Sequence, residues 1–176
     1  MRRLMLGLTA ALIAATVVAA PAAAAAGAKP GSQTIVQIVT APDGEFDILQ
    51  AAVVKAGLVD ALNGTDQYTV FAPTDAAFVK TFSKLLNAPL TEQNVIDFIN
   101  AGGVDTAFGD GALKNILLFH VTEGRRISRS VLAAPGYEML NGTMLTRTQL
   151  LAAGVSATDI SARNGVIHVI DSVLLP

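Results

Sequence analysis

The segment that most constrains the fold of this chain is residues 69–78, which read TVFAPTDAAF. The β-branched and aromatic residues at 68–71 predict a short strand, and Pro73 ends it because proline has no N–H for a ladder hydrogen bond. Thr74 offers a hydroxyl oxygen that can cap a helix, and Asp75 places negative charge at the positive end of that helix. The segment therefore predicts a strand, a sharp corner and a helix in immediate succession.

Apolar residues recur at helical spacing in the first half of the chain. The helix after the corner is predicted to bury one face, formed by Phe78, Phe82, Leu85 and Leu86. An earlier helix is predicted from the spacing of Phe46, Leu49, Val53 and Ala56. Gly57 stands where a left-handed residue ends a helix, and Thr91 is expected to cap a further helix. We interpret residues 104–111 as a loop, and residues 34–40 as either a strand or a first helical turn.

The second half of the chain is predicted to be rich in strands. Asn141-Gly142 and Asn164-Gly165 each stand between apolar residues, and this arrangement is the strongest short-range sign of a β-hairpin. We expect hairpins across residues 139–144 and 160–169. Because helices come first and strands follow without regular alternation, the sequence predicts an α+β domain built on mostly antiparallel sheet.

Three segments together resemble the signature motifs of the fasciclin (FAS1) domain family. They are residues 69–78, residues 117–124 (LLFHVTEG) and residues 164–176 (NGVIHVIDSVLLP), in the family's order and at its separations. The resemblance implies a compact fasciclin-like β-wedge or sandwich of mostly antiparallel strands flanked by several short helices. It also implies an extracellular protein that serves adhesion.

Within these motifs we expect structural roles. The residues concerned are Thr69, Phe71, Pro73, Thr74, Asp75, Phe78, His120, Asn164, Gly165, His168 and Asp171. His120 is expected to be mostly buried and tied to Thr74 or Asp75, which the family's fold would bring near. Its alternative is a role as a ligand, a base or a pH switch. His168 is expected at an edge or surface, on a half-buried strand.

The central motif departs from the family at one position. Animal members that mediate adhesion carry a Tyr-His pair within an integrin-binding stretch, whereas this chain has Phe119 and His120. The tyrosine hydroxyl is absent here, which argues against an integrin as the partner.

The N-terminus is predicted to be a secretory signal peptide, residues 1–26. Arg2 and Arg3 form a basic region, residues 4–20 form an uncharged apolar run, and Ala24-Ala25-Ala26 fits a small-residue cleavage site. The alternative is an uncleaved membrane anchor, the one case in which we expect membrane contact. The protein is therefore expected to be secreted, periplasmic or held at the cell surface.

The rest of the chain is expected to form one monomeric domain. We assign residues 27–32 to a linker and residues 33–176 to the fasciclin-like domain. The absence of cysteine excludes disulfides and thiolate metal sites. Removing Arg2 and Arg3 from the 12 basic residues leaves 10 against 14 acidic ones, a net charge near −4, which disfavours nucleic acid as a partner.

Motifs for catalysis are missing from the sequence. It has no G-x-S-x-G elbow, no H-E-x-x-H and no phosphate-binding glycine loop, so we expect neither an enzyme nor a cofactor. Two histidines without cysteine make a poor zinc site. Asp43, Glu45 and Asp47 could hold calcium through oxygen atoms, but acids are also expected at a helix start for dipole reasons.

Arg125, Arg126 and Arg129 form a basic cluster. Guanidinium groups pair bidentately with carboxylate and phosphate, so the cluster could grip anionic polysaccharide or lipid phosphate, with a solvated face as the alternative. We expect the contact patch in the exposed parts of residues 119–129, including Phe119. The predicted function is an extracytoplasmic, non-enzymatic adhesion or binding module for a cell surface, a matrix or a host. The alternative is a small-molecule carrier with an apolar pocket between sheet and helices.

Overall fold

The computed structural model describes residues 31–41 and 44–176. The predicted signal peptide (1–26) and residues 27–30 of the predicted linker lie outside the described residues, as does Asp43 of the acidic group. None of the helices in the described part has the length and apolar character of a membrane span.

Short helices and strands follow one another without a regular repeat. The helices are α1 (Ile35–Val39), α2 (Asp47–Lys55), α3 (Val59–Leu62), α4 (Asp75–Leu85), α5 (Glu92–Asn100), α6 (Gly103–Phe108), α7 (Ala112–Leu118), α8 (Ser128–Ala133) and α9 (Arg147–Ala153). The strands are β1 (Tyr68–Pro73), β2 (Val121–Glu123), β3 (Gly136–Glu138), β4 (Met144–Thr146), β5 (Val155–Ala162) and β6 (Gly165–Ile170). The predicted α+β class is confirmed.

A sheet with the strand order β2-β1-β6-β5 lies at the centre of the fold. β1 pairs antiparallel with β2 and parallel with β6, and β5 pairs antiparallel with β6. β3 and β4 form a separate antiparallel hairpin around the predicted Asn141-Gly142 turn, where the Thr143 N–H donates to Asn141 Oδ1 at 3.0 Å. The sheet is therefore mostly antiparallel, with one parallel pair in its middle.

The central sheet is covered on both faces. Val70 and Ile167 pack into a cluster with residues of α1 to α7, whereas Phe71 and Ile170 pack into a second cluster with α8, α9 and the β3–β4 hairpin. Successive side chains of a strand point to opposite faces, so β1 and β6 contribute to both clusters. Every residue of β6 is buried. The expectation of a half-buried strand at 166–170 is therefore wrong.

Local signals at the helix ends behave as predicted. Thr74 accepts a hydrogen bond from the Ala77 N–H at 3.1 Å, and Thr91 accepts one from the Asn94 N–H at 3.2 Å. Both predicted N-caps are confirmed, because each hydroxyl satisfies a donor that the helix itself leaves free. Gly57 follows α2 with a φ of +67°, the conformation that its predicted place after the helix requires.

Three other local predictions are decided or corrected. Residues 34–40, which were open between strand and helix, contain α1. Residues 104–111, predicted as a loop, contain most of α6, because Gly102 takes a φ of +77° and turns the chain directly out of α5. Leu85, predicted on the buried face of α4, is exposed at the last position of that helix.

Asn164 and Gly165 connect the β5–β6 turn to distant parts of the chain. The Asn164 side-chain oxygen accepts a hydrogen bond from the Ile35 N–H at 2.9 Å. Its side-chain nitrogen donates to the Leu62 carbonyl at 2.7 Å. Gly165 pairs with Tyr68, and a β-carbon at this position would lie 2.0 Å from the Tyr68 carbonyl oxygen. Asn164 and Gly165 therefore make long-range contacts in addition to forming the predicted turn.

We predict that Asn164→Ala lowers the free energy of unfolding by about 3 kcal/mol, because it leaves the buried Ile35 N–H without an acceptor and removes the bonds to the α3 end. The measurement is urea unfolding of the purified protein. Asn100→Ala, an exposed change at the end of α5, is the matched control and is expected to alter stability by less than about 0.5 kcal/mol. Equal stability of the two variants would contradict this role.

Candidate functional site

Asp75 is buried, and its carboxylate caps a helix other than its own. Its carboxylate accepts hydrogen bonds from the Asp47 N–H at 3.0 Å and from the Ile48 N–H at 2.9 Å. These are the first two residues of α2, so the carboxylate caps that helix across 27 to 28 residues of sequence. Burial raises the pKa of Asp75, and the bonds from Ile48 and Asp47 oppose that rise.

His120 is buried, as expected, but its partners differ from those predicted. Nδ1 donates to the Ile116 carbonyl at 2.7 Å, and Nε2 accepts from the Leu174 N–H at 2.9 Å. The expected link to Thr74 or Asp75 is wrong, because Asp75 is directed at α2 and Thr74 at its own helix. Burial lowers the pKa of His120 to about 4, against the effect of the Ile116 bond. Its ring therefore joins α7 to the C-terminal segment as a neutral group.

His168 lies in the centre of the sheet, on β6, and is 1% exposed. The prediction of an edge or surface position is wrong, because β6 lies between β1 and β5. Its Nε2 donates to the Arg126 carbonyl at 2.9 Å, and its Nδ1 accepts from the Asp159 N–H at 3.3 Å. The ring stacks on Phe71 with 5.7 Å between centroids. Burial lowers the pKa of His168, so this ring is also held neutral.

The remaining motif residues support the core and its ends. Phe71 and Phe78 are buried, and Pro73 pairs with Ile170 at the end of β1. Asp171 is exposed, and its N–H donates to the Gly154 carbonyl at 3.1 Å.

Thr69 fixes the turn that follows β2. Its hydroxyl donates to the Gly124 carbonyl at 2.7 Å and accepts from the Arg126 N–H at 2.9 Å. The side chain of a buried strand residue thus holds both ends of the short segment that carries Arg125. The sequence analysis predicted that the arginines of this segment contact the partner.

Arg125 is turned inward. One terminal nitrogen donates to the Ala162 carbonyl at 2.9 Å and to the Gly165 carbonyl at 2.8 Å, and the other donates to the Ser161 hydroxyl. These acceptors lie on both sides of the β5–β6 turn. The assignment of Arg125 as a surface contact is therefore wrong, because its guanidinium donors are used within the fold.

Phe119 is also unavailable as a contact. Its side chain is 1% exposed and packs in the cluster with α8, α9 and the β3–β4 hairpin. Of the predicted contact residues, Arg126 and Arg129 keep surface access. The sequence missed this inward packing because an aromatic residue at a helix end fits a core and a contact patch equally well.

Arg126 borders a polar surface pocket of about 380 Å³, here called the β2–β3 pocket. Its lining is Thr122, Glu123, Arg126, Glu138, Met139, Leu140 and Gly142. The Arg126 guanidinium lies over the Tyr137 ring at 4.8 Å, and its Nε donates to the Glu123 carbonyl at 3.3 Å. The Thr122 hydroxyl donates to the Glu138 carbonyl at 2.8 Å, which joins the two strands that form the pocket.

The charged groups of this pocket keep unused hydrogen-bonding capacity. Among the described residues, the carboxylates of Glu123 and Glu138 and the terminal nitrogens of Arg126 make no hydrogen bond or ion pair. Two carboxylates and one guanidinium give the lining a formal charge of −1. The pocket therefore presents both acceptors and donors, with acceptors in excess.

Other candidate sites have less support. The cavity between α1, α2, α3 and the sheet has a volume of about 30 Å³, the space of one water molecule. A small-molecule carrier calls for about 300 Å³ or more, so this cavity does not support the carrier alternative. No group of three or more His, Asp or Glu side chains in the described residues could hold a metal ion. Asp47 begins α2, in agreement with the helix-dipole interpretation.

Comparison with known proteins decides the family. The chain matches the family model of the Fasciclin domain over residues 44–176. It belongs to the fasciclin domain family. This fasciclin domain is 34% identical to protein sll1483 of Synechocystis over 82% of its own length and 74% of that protein. It is 30% identical to immunogenic protein MPB70 of Mycobacterium bovis, over 82% of its length and 70% of that protein.

Larger proteins contain a comparable domain. Transforming growth factor-beta-induced protein ig-h3 of Sus scrofa is 32% identical over 82% of this chain, which spans 20% of that protein. The solved structure of a FAS1 domain pair from the insect cell adhesion molecule fasciclin I matches with a TM-score of 0.55 at 18% identity. That match covers 84% of this chain and 52% of the pair, and it shows that the fold is shared.

We predict that the stability of this fasciclin domain depends on pH through His120. The unfolded chain has the ordinary pKa of 6.5, whereas the folded ring stays neutral down to about pH 4. The contribution of His120 is therefore complete above pH 6.5 and falls by about 3 kcal/mol as the pH drops to 4. The measurement is urea unfolding of wild type and His120→Gln between pH 4 and 8. We expect the variant to be less stable at pH 7 and to show a shallower decline. Parallel curves for the two proteins would refute the assignment.

We also predict that Arg125→Ser destabilises the domain by about 2 kcal/mol, because charged donors to three buried or part-buried acceptors are lost. Arg129→Ser, at an exposed position of α8, is the control and should change stability by less than about 0.5 kcal/mol. Thermal and urea unfolding of both variants give the comparison. If Arg125→Ser unfolds like the control, the inward-facing role is incorrect.

Proposed function

We propose that this fasciclin domain is an extracytoplasmic, non-enzymatic adhesion module that binds a neutral polysaccharide in the β2–β3 pocket. The observation that carries the proposal is the combination of unused carboxylate acceptors and unused guanidinium donors in one surface pocket of about 380 Å³. An extracytoplasmic location is supported by the N-terminal sequence, and adhesion by membership of a family that includes a cell adhesion molecule.

The hydrogen-bonding chemistry of the pocket fits a polyhydroxylated ligand. A sugar hydroxyl can donate to a carboxylate oxygen of Glu123 or Glu138 and accept from a terminal nitrogen of Arg126. Leu140, which is partly exposed, adds apolar surface to the same lining, which suits the C–H face of a sugar ring. Pockets that combine apolar walls with a few converging polar groups are typical binding sites.

The charge of the pocket argues for a neutral polymer over an anionic one. The sequence offered anionic polysaccharide or lipid phosphate as possible ligands of three arginines that are close in the chain, with a solvated face as the alternative. In the fold, Arg125 is used internally, and Arg126 stands beside two glutamates. An anionic ligand would meet a net negative lining, and like charges repel at short range.

The pocket is held rigid before any ligand arrives. Thr69 fixes the Arg126 backbone, the Tyr137 ring supports its guanidinium, and Thr122 joins β2 to β3. A binding group whose orientation is already fixed loses less entropy on association. The lining of the pocket contains no nucleophile–base pair. This composition supports a role in ligand binding over a role in catalysis.

We predict that Glu123→Gln/Glu138→Gln weakens binding to a neutral polysaccharide at least about tenfold, because each change replaces a charged acceptor by a weaker neutral one. The purified protein is titrated with a panel of glucans, mannans and galactans, and with the anionic polyuronate alginate, at two salt concentrations. Arg129→Gln serves as the control and should bind like wild type. Binding to the neutral polymer should change little with salt.

The opposite pattern would overturn the proposal. Saturable binding of the wild type to alginate and not to the neutral polymers, lost at high salt, would identify an anionic ligand. Binding to neutral polymers that is unaffected by the double substitution would place the adhesive surface elsewhere on the domain.

A further inference from the structure

A second concave surface lies between α8, α9 and β5, away from the lining of the β2–β3 pocket. Its volume is about 300 Å³. Four aliphatic side chains form most of its walls: Val131, Leu132, Leu151 and Val155. Leu132 is 37% exposed and Leu151 is 54% exposed, so apolar surface at the rim faces water. We call this the α8–α9 groove.

A β-bulge in β5 shapes the floor of the groove. The register of β5 against β6 shifts between Ala157 and Ile160, and Asp159 within this bulge has a φ of +61°. Thr158 lines the groove, whereas Asp159 accepts from the Ser128 N–H at 2.7 Å and from the Ser128 hydroxyl. The bulge therefore fixes β5 to the start of α8. Bulges of this kind commonly redirect side chains at binding sites.

The polar groups of the groove are almost all used within the fold. Both ring nitrogens of His168 have partners, Arg126 and Asp159, and Ser128 donates its hydroxyl to Asp159. Among the described residues, the Thr158 hydroxyl makes no hydrogen bond. None of the lining residues carries a formal charge. The groove thus offers apolar walls, neutral rings and one free hydroxyl.

We infer that the α8–α9 groove binds a neutral, mostly apolar small molecule with a single hydrogen-bonding group, which pairs with the Thr158 hydroxyl. An ionised ligand would lose its hydration without gaining a counter-charge, which is costly in an apolar site. The walls at Leu132 and Leu151 would be shielded from water on binding.

This site is independent of the proposed polysaccharide pocket. The two linings have no residue in common, and one is polar and charged whereas the other is mostly apolar and uncharged. The groove agrees with the carrier alternative of the sequence analysis, an apolar pocket between the sheet and helices, but it does not lie in the cavity beside α1 to α3. The groove uses α8 and α9, which lie on the other face of the sheet.

The first test is a fluorescence titration with the neutral apolar probe N-phenyl-1-naphthylamine. Wild type should bind one equivalent saturably, and Leu151→Lys and Leu132→Lys should each weaken binding at least about tenfold, because each removes an aliphatic wall of the site and puts a hydrated ammonium at its rim. Leu85→Lys, an exposed position on α4, is the matched control. Val54→Lys tests the cavity near α1 to α3, which Val54 lines. Circular dichroism checks the fold of each variant.

The second test uses a matched pair of competitors, 4-ethylphenol and 4-ethyltoluene, which differ by a hydroxyl in place of a methyl group. Thr158→Val should weaken displacement by 4-ethylphenol about three- to tenfold, the effect of one hydrogen bond, and leave 4-ethyltoluene unchanged. Absence of saturable probe binding would overturn the inference, as would loss of binding in Val54→Lys in place of the rim variants. Equal effects of Thr158→Val on both competitors would overturn the role of the hydroxyl.

Discussion

The parallel pairing of β1 with β6 is the constraint on which the rest of this fasciclin domain depends. The two strands lie in the middle of the sheet, are buried on both faces and supply side chains to both hydrophobic clusters. Next to one end of each strand is a buried polar side chain that accepts hydrogen bonds from the start of a helix distant in the sequence. Asp75 after β1 caps α2, and Asn164 before β6 binds the first residue of α1. The first and third sequence motifs of the family therefore supply the side chains that connect the sheet to the helices.

The internal hydrogen bonds of these motifs also explain which side chains remain available for a partner. Buried polar groups must be satisfied, and the fold satisfies them with residues that look like surface contacts in the sequence. Arg125 closes the β5–β6 turn, and His168 holds Arg126 and Asp159. Among the described residues, the groups without an internal partner that line the two pockets include the terminal nitrogens of Arg126, which shares its pocket with Glu123 and Glu138, and the Thr158 hydroxyl on the bulge of β5. The two proposed sites follow from what the core did not use.

The two sites differ because the elements around them differ. β2 is an edge strand that ends at Glu123, and the short β3–β4 hairpin adds Glu138, so their junction is polar. α8 and α9 turn aliphatic residues toward the outer face of β5, so their junction is apolar. Both junctions touch the segment that Thr69 fixes: the Arg126 side chain lines one, and its carbonyl binds His168 beneath the other.

The sequence by itself determined the features that act over a few residues. The caps at Thr74 and Thr91, the left-handed Gly57, the Asn141-Gly142 hairpin and the α+β class were all predicted, because capping, turn geometry and periodicity are local properties. The tertiary structure alone decided the burial of His168, the inward course of Arg125, the partners of His120 and the cap that Asp75 gives to α2. Their partners lie up to 54 residues away, and that of Asn164 lies 129 residues away. Which of many possible donors and acceptors meet at such separations depends on the order of strands in the sheet, and no local pattern encodes that order.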